Sequence, residues 1–328
     1  MRKEVLAVGC ALMVFCGCGK NNAAQHYESG WAAMEKKDYT TAVNEFQQVI
    51  DQNSRLAESY RAEGIAYYSE KAYPEAIAAF SRSLNNMDDP DKEFKKDVQF
   101  YLAQARMDYG EVDKAIEVYS EILKAGEDEQ AFFLRGKAYI SMEDYKNAEK
   151  DFQRALEGCE DYNLYINIYQ IYVDHNKAVD GDAYLKMALE LEPQDGEDCY
   201  HRGRIYEYEK NYEAARDELK TAMEQGYEDA MLLLGGVYME MEDPASARSM
   251  YQEYLQKSEQ GAKAYNGLAM CDIYDGAYDS ALENIAQGLK ENSKEDEQGL
   301  LYNEIVAYEY KRDFATAKEK MKIYLEQY

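Results

Sequence analysis

The side chains best suited to catalysis or metal binding are few and widely separated in this sequence. Beyond residue 18 the cysteines are Cys159, Cys199 and Cys271. The histidines are His26, His175 and His201. No two of the cysteines have the spacing of a metal-binding pair, and the histidines are not clustered as zinc ligands are. We therefore predict small buried thiols and no metal site.

An acidic run contains Asp88, Asp89, Asp91 and Glu93. It lacks the central Gly and the terminal Glu of a calcium-binding loop, so a solvated loop is the better interpretation. The phosphate-binding pattern G-x-x-x-x-G-K-[ST] and the nucleophile pattern G-x-S-x-G are both absent from the sequence. We expect a protein that is not an enzyme, with no catalytic residues and no cofactor.

One cysteine near the N-terminus has a sequence context that favours modification. Arg2 and Lys3 precede an apolar run of 14 residues from Val5 to Cys18, which is too short for a membrane-spanning helix of about 20 residues and is typical of a signal peptide. Its end, Phe15-Cys16-Gly17-Cys18, resembles the lipobox of bacterial lipoproteins. The resemblance implies cleavage of residues 1–17, lipidation of Cys18, for example by palmitate, and a short linker over residues 18–24. Secretion without lipidation is the alternative.

The composition favours a folded helical chain and limits the partners. The 328 residues include 64 Asp and Glu against 37 Lys and Arg, which gives a net charge of −27. This charge argues against nucleic acid as a partner and against electrostatic attachment to anionic lipid. Only 4 Pro and 20 Gly accompany 46% hydrophobic residues, so the chain is too apolar for disorder and has few helix breakers.

The sequence after the linker repeats with a period of 32 to 39 residues. A small residue recurs at Ala42, Ala76, Ala115, Ala148, Gly181, Ala215, Ala247, Ala281 and Ala317. Four residues later a large apolar residue follows, at Phe46, Phe80, Tyr119, Phe152, Leu185, Leu219, Tyr251, Ile285 and Met321. Twelve residues earlier stand Gly30, Gly64, Ala103, Gly136, Tyr169, Gly203, Gly235, Ala269 and Ile305. Small residues allow two helices to approach closely, and stacking of such units builds a continuous core.

This pattern resembles the tetratricopeptide repeat, a helix–turn–helix unit of 34 residues. The resemblance implies an all-α fold, a right-handed α-solenoid of about nine repeats over residues 23–328. The repeats would start near residues 23, 57, 96, 129, 162, 196, 228, 262 and 298. The fifth repeat departs from the pattern, since Tyr169 and Gly181 occupy the slots of a small residue and of Ala.

In this family the first helices line the concave face, where ligand peptides usually bind. Carrying over the family's inner positions predicts the following partner-binding residues, which we call the inner-face residues: Tyr27, Trp31, Met34, Arg61, Ile65, Tyr68, Phe100, Gln104, Met107, Tyr200, Arg204, Tyr208, Leu232, Met239, Asn266, Met270, Ile273, Tyr274, Tyr302, Val306 and Tyr310. Aromatic and Met side chains at exposed positions are typical of protein-binding surfaces. The Lys, Asn and Arg clamp with which co-chaperone repeats hold a C-terminal carboxylate is absent, because Arg61 and Arg204 stand in distant repeats.

These features predict a lipid-anchored scaffold or adaptor that binds a protein or peptide on the extracytoplasmic face of a bacterial cell membrane. An accessory lipoprotein of an envelope, pilus or secretion assembly is the alternative. A carbohydrate-capturing surface protein or an enzyme is a further alternative of a different class. The last repeat combines Met321, Tyr324 and Leu325 with several Lys residues, which also predicts self-association or an acidic partner at that repeat.

Overall fold

The computed structural model describes residues 22–87, 91–291 and 293–328. Within these ranges the chain is entirely helical and forms 18 helices in nine consecutive pairs. The pairs are α1 (Asn22–Glu35) and α2 (Tyr39–Asp51), α3 (Leu56–Ser69) and α4 (Tyr73–Asn85), α5 (Lys92–Tyr109) and α6 (Val112–Ala125), α7 (Glu129–Ser141) and α8 (Tyr145–Ala155), α9 (Tyr162–Asp174) and α10 (Ala178–Leu189), α11 (Gly196–Tyr208) and α12 (Tyr212–Glu224), α13 (Ala230–Glu240) and α14 (Pro244–Lys257), α15 (Ala262–Tyr274) and α16 (Tyr278–Lys290), and α17 (Lys294–Tyr310) and α18 (Phe314–Gln327). The predicted all-α repeat fold is confirmed.

The predicted leader and lipidation site, residues 1–17 and Cys18, lie outside the described residues. Of the predicted linker, residues 22–24 are helical, because α1 begins at Asn22. Of the acidic run, Asp88 and Asp89 also lie outside the described residues. Asp91 caps α5, where its side chain accepts a hydrogen bond from the backbone N–H of Glu93.

Polar caps determine where many helices begin. The side chains of Asp38, Asp144, Asn211 and Asp313 each accept a hydrogen bond from a backbone N–H three residues later. Such a cap satisfies one of the unpaired donors in the first helical turn and contributes about 1 kcal/mol. In these four repeats the last residue of the short turn therefore also fixes where the second helix begins.

Most pairs are held together by the recurring small and large residues. A Cβ atom added to Gly30 would lie 2.5 Å from Cε1 of Phe46, and one added to Gly136 would lie 2.7 Å from Cε1 of Phe152. These separations are shorter than any van der Waals contact, so the aromatic ring occupies the space that a side chain on the first helix would need. The glycine is required by this close approach rather than by backbone conformation.

The chain divides into two compact units. The first unit ends at Cys159 and also includes Gln170–Ala178, whereas the second comprises Glu160–Tyr169 and Val179–Tyr328, so the division falls inside α9. In the first unit Phe46, Phe80, Tyr119 and Phe152 are buried in the core. The second unit buries the corresponding residues Leu185, Leu219, Tyr251 and Ile285. Among the described helices, none is both long and apolar enough to cross a bilayer.

Candidate functional site

The inner-face residues of α1 lie against the core of the first unit and remain partly exposed. The rings of Tyr27 and Trp31 meet Phe46 edge to face, with centroid distances of 5.8 and 5.6 Å. Met34 packs against the same cluster of buried residues. Edge-to-face ring pairs add about 0.5–1.5 kcal/mol beyond the area they bury. Trp31 therefore stabilises the first repeat while remaining partly exposed.

Arg61 is already engaged by neighbouring side chains in the first unit. Its Nε lies 2.5 Å from a carboxylate oxygen of Asp97, and its guanidinium lies 5.3 Å from the centre of the Tyr101 ring. The charge of Arg61 is thus compensated within the repeat stack. It is a poor candidate for holding an anionic partner group.

Asp108 joins two further inner-face residues of the first unit. The hydroxyl of Tyr68 donates a hydrogen bond to Oδ2 of Asp108, and Nε2 of Gln104 donates to its Oδ1 at 3.1 Å. Burial, followed by the hydrogen bond to Asp108, raises the pKa of Tyr68. Ile65, Phe100 and Met107 pack against the buried core of the second and third repeats while staying partly exposed.

In the second unit the inner-face residues of α11 form a small aromatic cluster. The ring of Tyr200 lies 4.9 Å from that of Tyr227, and the guanidinium of Arg204 lies 5.9 Å from the Tyr200 centroid. Arg204 also approaches Nδ1 of His201 at 3.3 Å. Burial and then the charge of Arg204 lower the pKa of His201, so its ring is neutral at neutral pH. Tyr208 is more exposed and packs against Tyr169 with a centroid distance of 5.4 Å.

The inner-face residues of α15 and α17 include the most exposed of the set. Met270 is 41% exposed and Tyr274 55%, whereas Tyr302 and Tyr310 are 51% and 62% exposed. The ring of Tyr310 stacks on that of Tyr278 at a centroid distance of 6.1 Å. The remaining inner-face residues of the second unit are half-buried beside its core: Leu232, Met239, Asn266, Ile273 and Val306.

A cavity of about 740 Å³ lies within the second unit. It is bounded by the first helices α11, α13, α15 and α17, by α14, and by the turns before α13, α15 and α17. Its lining residues are Tyr200, Asp229, Leu232, Leu233, Tyr251, Tyr254, Gln260, Gly261, Ala262, Lys263, Asn266, Gly267, Met270, Glu291, Ser293 and Asp296. The structure therefore brings four inner-face residues together here, namely Tyr200, Leu232, Asn266 and Met270. The others do not line this cavity.

Sequence reasoning missed most of the polar residues of this cavity. Asp229, Lys263 and Asp296 lie at the starts of first helices, and Glu291 precedes α17 in a turn. The inner-face residues begin at the fifth position of each repeat, whereas Asp229 and Lys263 stand at the second position of their repeats and Glu291 lies in the turn before the ninth. A useful signal in the sequence would have been the acidic residues that stand at the boundaries of repeats seven and nine.

The buried thiols face the core. Cys199 and Cys271 are buried as predicted, whereas Cys159 is only partly buried. Burial raises the pKa of Cys271 to about 11. Its Sγ lies 3.5 Å from the Sδ atom of Met239. Within the described residues no group of three or more His, Cys, Asp or Glu side chains is arranged to hold a metal ion.

Models of a known repeat family match three segments of the chain. Models of the tetratricopeptide repeat match residues 27–91 and 200–262, and a second such model matches residues 129–161. No curated protein matches the chain.

Among solved structures, a tetratricopeptide repeat protein from Parabacteroides merdae is 16% identical, covers 87% of this chain and 99% of its own, and has a TM-score of 0.47. The C-terminal part of a repeat-containing protein from Cytophaga hutchinsonii is 16% identical, with 74% and 99% coverage and a TM-score of 0.46. YrrB, described as a protein with an unusual peptide-binding site, is 26% identical, with 53% and 91% coverage and a TM-score of 0.35.

Proposed function

Because the chain belongs to the tetratricopeptide repeat family, we propose that it is a protein-binding scaffold whose partner contacts the first helices of the repeats. The observation that carries this proposal is the set of large apolar side chains left exposed on α15 and α17. Met270, Tyr274, Tyr302 and Tyr310 are each at least 41% exposed. Aromatic and Met residues at the surface are typical of interfaces because they bury much apolar area when a partner binds.

Site-specific photo-crosslinking tests this proposal in the cells that express the protein. A photoreactive amino acid at Met270 or Tyr274 should capture a defined partner. The matched control is Val179, which is 83% exposed but lies at the start of the second helix α10. Equal capture from Val179, or no capture from the first-helix positions, contradicts the proposal. A captured pilus or secretion component would identify the alternative role, an accessory subunit of such an assembly.

The scaffold is anchored by lipid at Cys18 to the extracytoplasmic face of the cell membrane. The support is an apolar run in the sequence that ends in Gly17-Cys18, followed by folded repeats that begin at Asn22. Cys18→Ala should move the full-length protein from the detergent phase to the aqueous phase, whereas Cys16→Ala should leave it in detergent. Mass spectrometry that finds an unmodified N-terminus at a residue other than Cys18 excludes the anchor.

A second contact joins two copies of the chain through α18. Phe314 and Leu325 are 66% and 70% exposed, and the exposed Lys318 and Lys322 lie on the same helix. A second copy suits this surface because the chain has a net charge of −27 and so offers acidic surface elsewhere. Leu325→Lys should convert the dimer to a monomer in light scattering and leave the helical content unchanged. A wild-type chain that is monomeric at high concentration contradicts this contact.

A further inference from the structure

The cavity of the second unit has the size of a binding site for several side chains. Ligand-binding clefts typically enclose about 300–1,000 Å³, and this cavity encloses about 740 Å³. Four successive repeats contribute to it, through α11, α13 and α14, α15, and the start of α17. An elongated ligand that contacts all four repeats fits this arrangement better than a compact one.

The charge of the lining is strongly asymmetric. Three carboxylates line the cavity, from Asp229, Glu291 and Asp296, against the single ammonium group of Lys263. Asp296 accepts a hydrogen bond from the hydroxyl of Ser293 at 2.7 Å. Asp229 accepts one from the hydroxyl of Tyr254 at 3.4 Å. A carboxylate can accept about four hydrogen bonds, so both groups keep acceptor capacity for a ligand.

The apolar part of the lining suits the aliphatic part of a basic side chain. Leu232, Leu233 and Met270 line the cavity together with the ring of Tyr200. Lys and Arg stems pack on apolar surface while their charged ends stay near polar groups. A Glu or Asp side chain would instead meet three like charges.

Asn266 supplies a group that can orient a peptide backbone. Its Oδ1 accepts a hydrogen bond from Nδ2 of Asn303 at 2.8 Å. This bond directs the Asn266 amide and leaves its Nδ2 donors for another acceptor. Since an extended peptide presents a carbonyl oxygen at every residue, Asn266 can hold the backbone while the carboxylates hold the side chain.

We propose that this cavity binds an extended segment of a partner protein through a Lys or Arg side chain that is flanked by apolar residues. The proposal rests on the protein-binding function proposed above and adds the chemical class of the ligand. Here the chain supplies the carboxylates and the ligand supplies the cation, the opposite of the clamp that co-chaperone repeats use for a C-terminal carboxylate.

Fluorescence anisotropy with the full chain tests this class of ligand. The probe is a labelled, end-capped peptide with the sequence Gly-Ala-Leu-Lys-Leu-Ala-Gly, and the matched probes replace its Lys by norleucine or by Glu. We expect binding of the Lys peptide, at least tenfold weaker binding of the norleucine peptide, and no binding of the Glu peptide. The affinity should fall with added salt, because exposed charges are screened over about 8–10 Å.

Isosteric variants assign the effect to the cavity. Asp229→Asn combined with Asp296→Asn should weaken the Lys peptide at least tenfold, whereas Lys263→Glu should tighten it. The control, Glu117→Gln combined with Glu190→Gln, removes the same charge from exposed positions outside the cavity and should leave the affinity unchanged. Circular dichroism confirms that each variant is folded.

The outcomes separate this inference from the proposed function. Failure of the Lys peptide to bind at millimolar concentration, or equal binding of the norleucine peptide, overturns the basic-ligand inference. Equal weakening by the control variant overturns it as well. Crosslinking from Met270 and Tyr274 would in each case still report whether the first helices bind a protein.

Discussion

Arg135 of α7 and Asp151 of α8 form a two-point ion pair inside the fourth repeat. Nε and Nη2 of Arg135 donate hydrogen bonds to the two carboxylate oxygens of Asp151, both at 2.7 Å. The pair occupies fixed repeat positions, one residue before the small residue of the first helix and three after that of the second. In the sixth repeat the same positions hold Arg202 and Glu218, which are 2.8 Å apart.

In the second repeat the position on the first helix holds a charged residue, but the position on the second helix holds no residue that could pair with it. Glu63 corresponds to Arg135, but Ala79 stands where Asp151 would be. The Glu63 side chain is buried, and its Oε2 has no hydrogen-bond partner among the described residues. Burial raises the pKa of Glu63, and the positive charge of Arg82 opposes this effect only partly.

Replacement of Glu63 by Leu should stabilise the protein. Repeats three, seven and eight already carry Leu102, Leu234 and Leu268 at this position. Removing an unpaired buried carboxylate should raise the free energy of unfolding by about 1–3 kcal/mol, as measured by urea unfolding. The contrasting variant is Arg135→Leu, which should destabilise by about 3–5 kcal/mol because it leaves Asp151 buried without its partner. A loss of stability in Glu63→Leu would disprove this account.

The stabilisation by Glu63→Leu should depend on pH. With a raised pKa in the folded state, the native protein retains the Glu63 proton over a range where the unfolded chain has lost it. The stability of the wild type therefore falls, relative to the variant, as the pH rises from the ordinary Glu pKa through the raised value. The difference between the urea midpoints of the two proteins should be small near pH 4 and larger at pH 7. A difference that narrows with rising pH would refute the burial of an ionised Glu63.

Two adjacent glycines of α13 should respond in opposite ways to the same substitution. A Cβ atom added to Gly235 would lie 2.5 Å from Cε1 of Tyr251, whereas one added to Gly236 would meet no atom within 4 Å. Gly235→Ala should therefore cost about 1–3 kcal/mol by overpacking, and Gly236→Ala should stabilise the helix by up to about 1 kcal/mol. Hydrogen exchange of α13 and α14 measures both effects, and equal effects would contradict the close approach of Tyr251.

Inner-face residues should separate into two classes when they are truncated. Tyr274→Ala should weaken a captured partner by about 2 kcal/mol and leave thermal unfolding unchanged, because the ring is 55% exposed. Trp31→Ala should lower the melting temperature, because its ring packs 5.6 Å from Phe46. Binding is compared on the folded fraction. A Tyr274→Ala variant that loses stability but keeps its affinity would assign that ring to packing.

The repeat pattern was readable from the sequence because it reflects packing between immediate neighbours. A small residue on the first helix, such as Gly136, must face a large residue on the second helix, such as Phe152, so that the two helices can touch. That requirement recurs in most repeats and leaves a period in the sequence. The all-helical fold follows from it, as do the buried positions of Phe46, Phe80 and Tyr251.

Electrostatic pairing follows the period in only some repeats, such as those of Arg135–Asp151 and Arg202–Glu218, and the tertiary structure decided where else a charge finds a partner. Asp97, the partner of Arg61, lies 36 positions away, and the cavity carboxylate of Asp229 comes from a different repeat than those of Glu291 and Asp296. Whether a charge meets its counterion, as Arg135 does, or is buried alone, as Glu63 is, depends on one side chain in a neighbouring helix. A single substitution can change that outcome without disturbing the spacing of small and aromatic residues, so the repeat pattern carries no record of it.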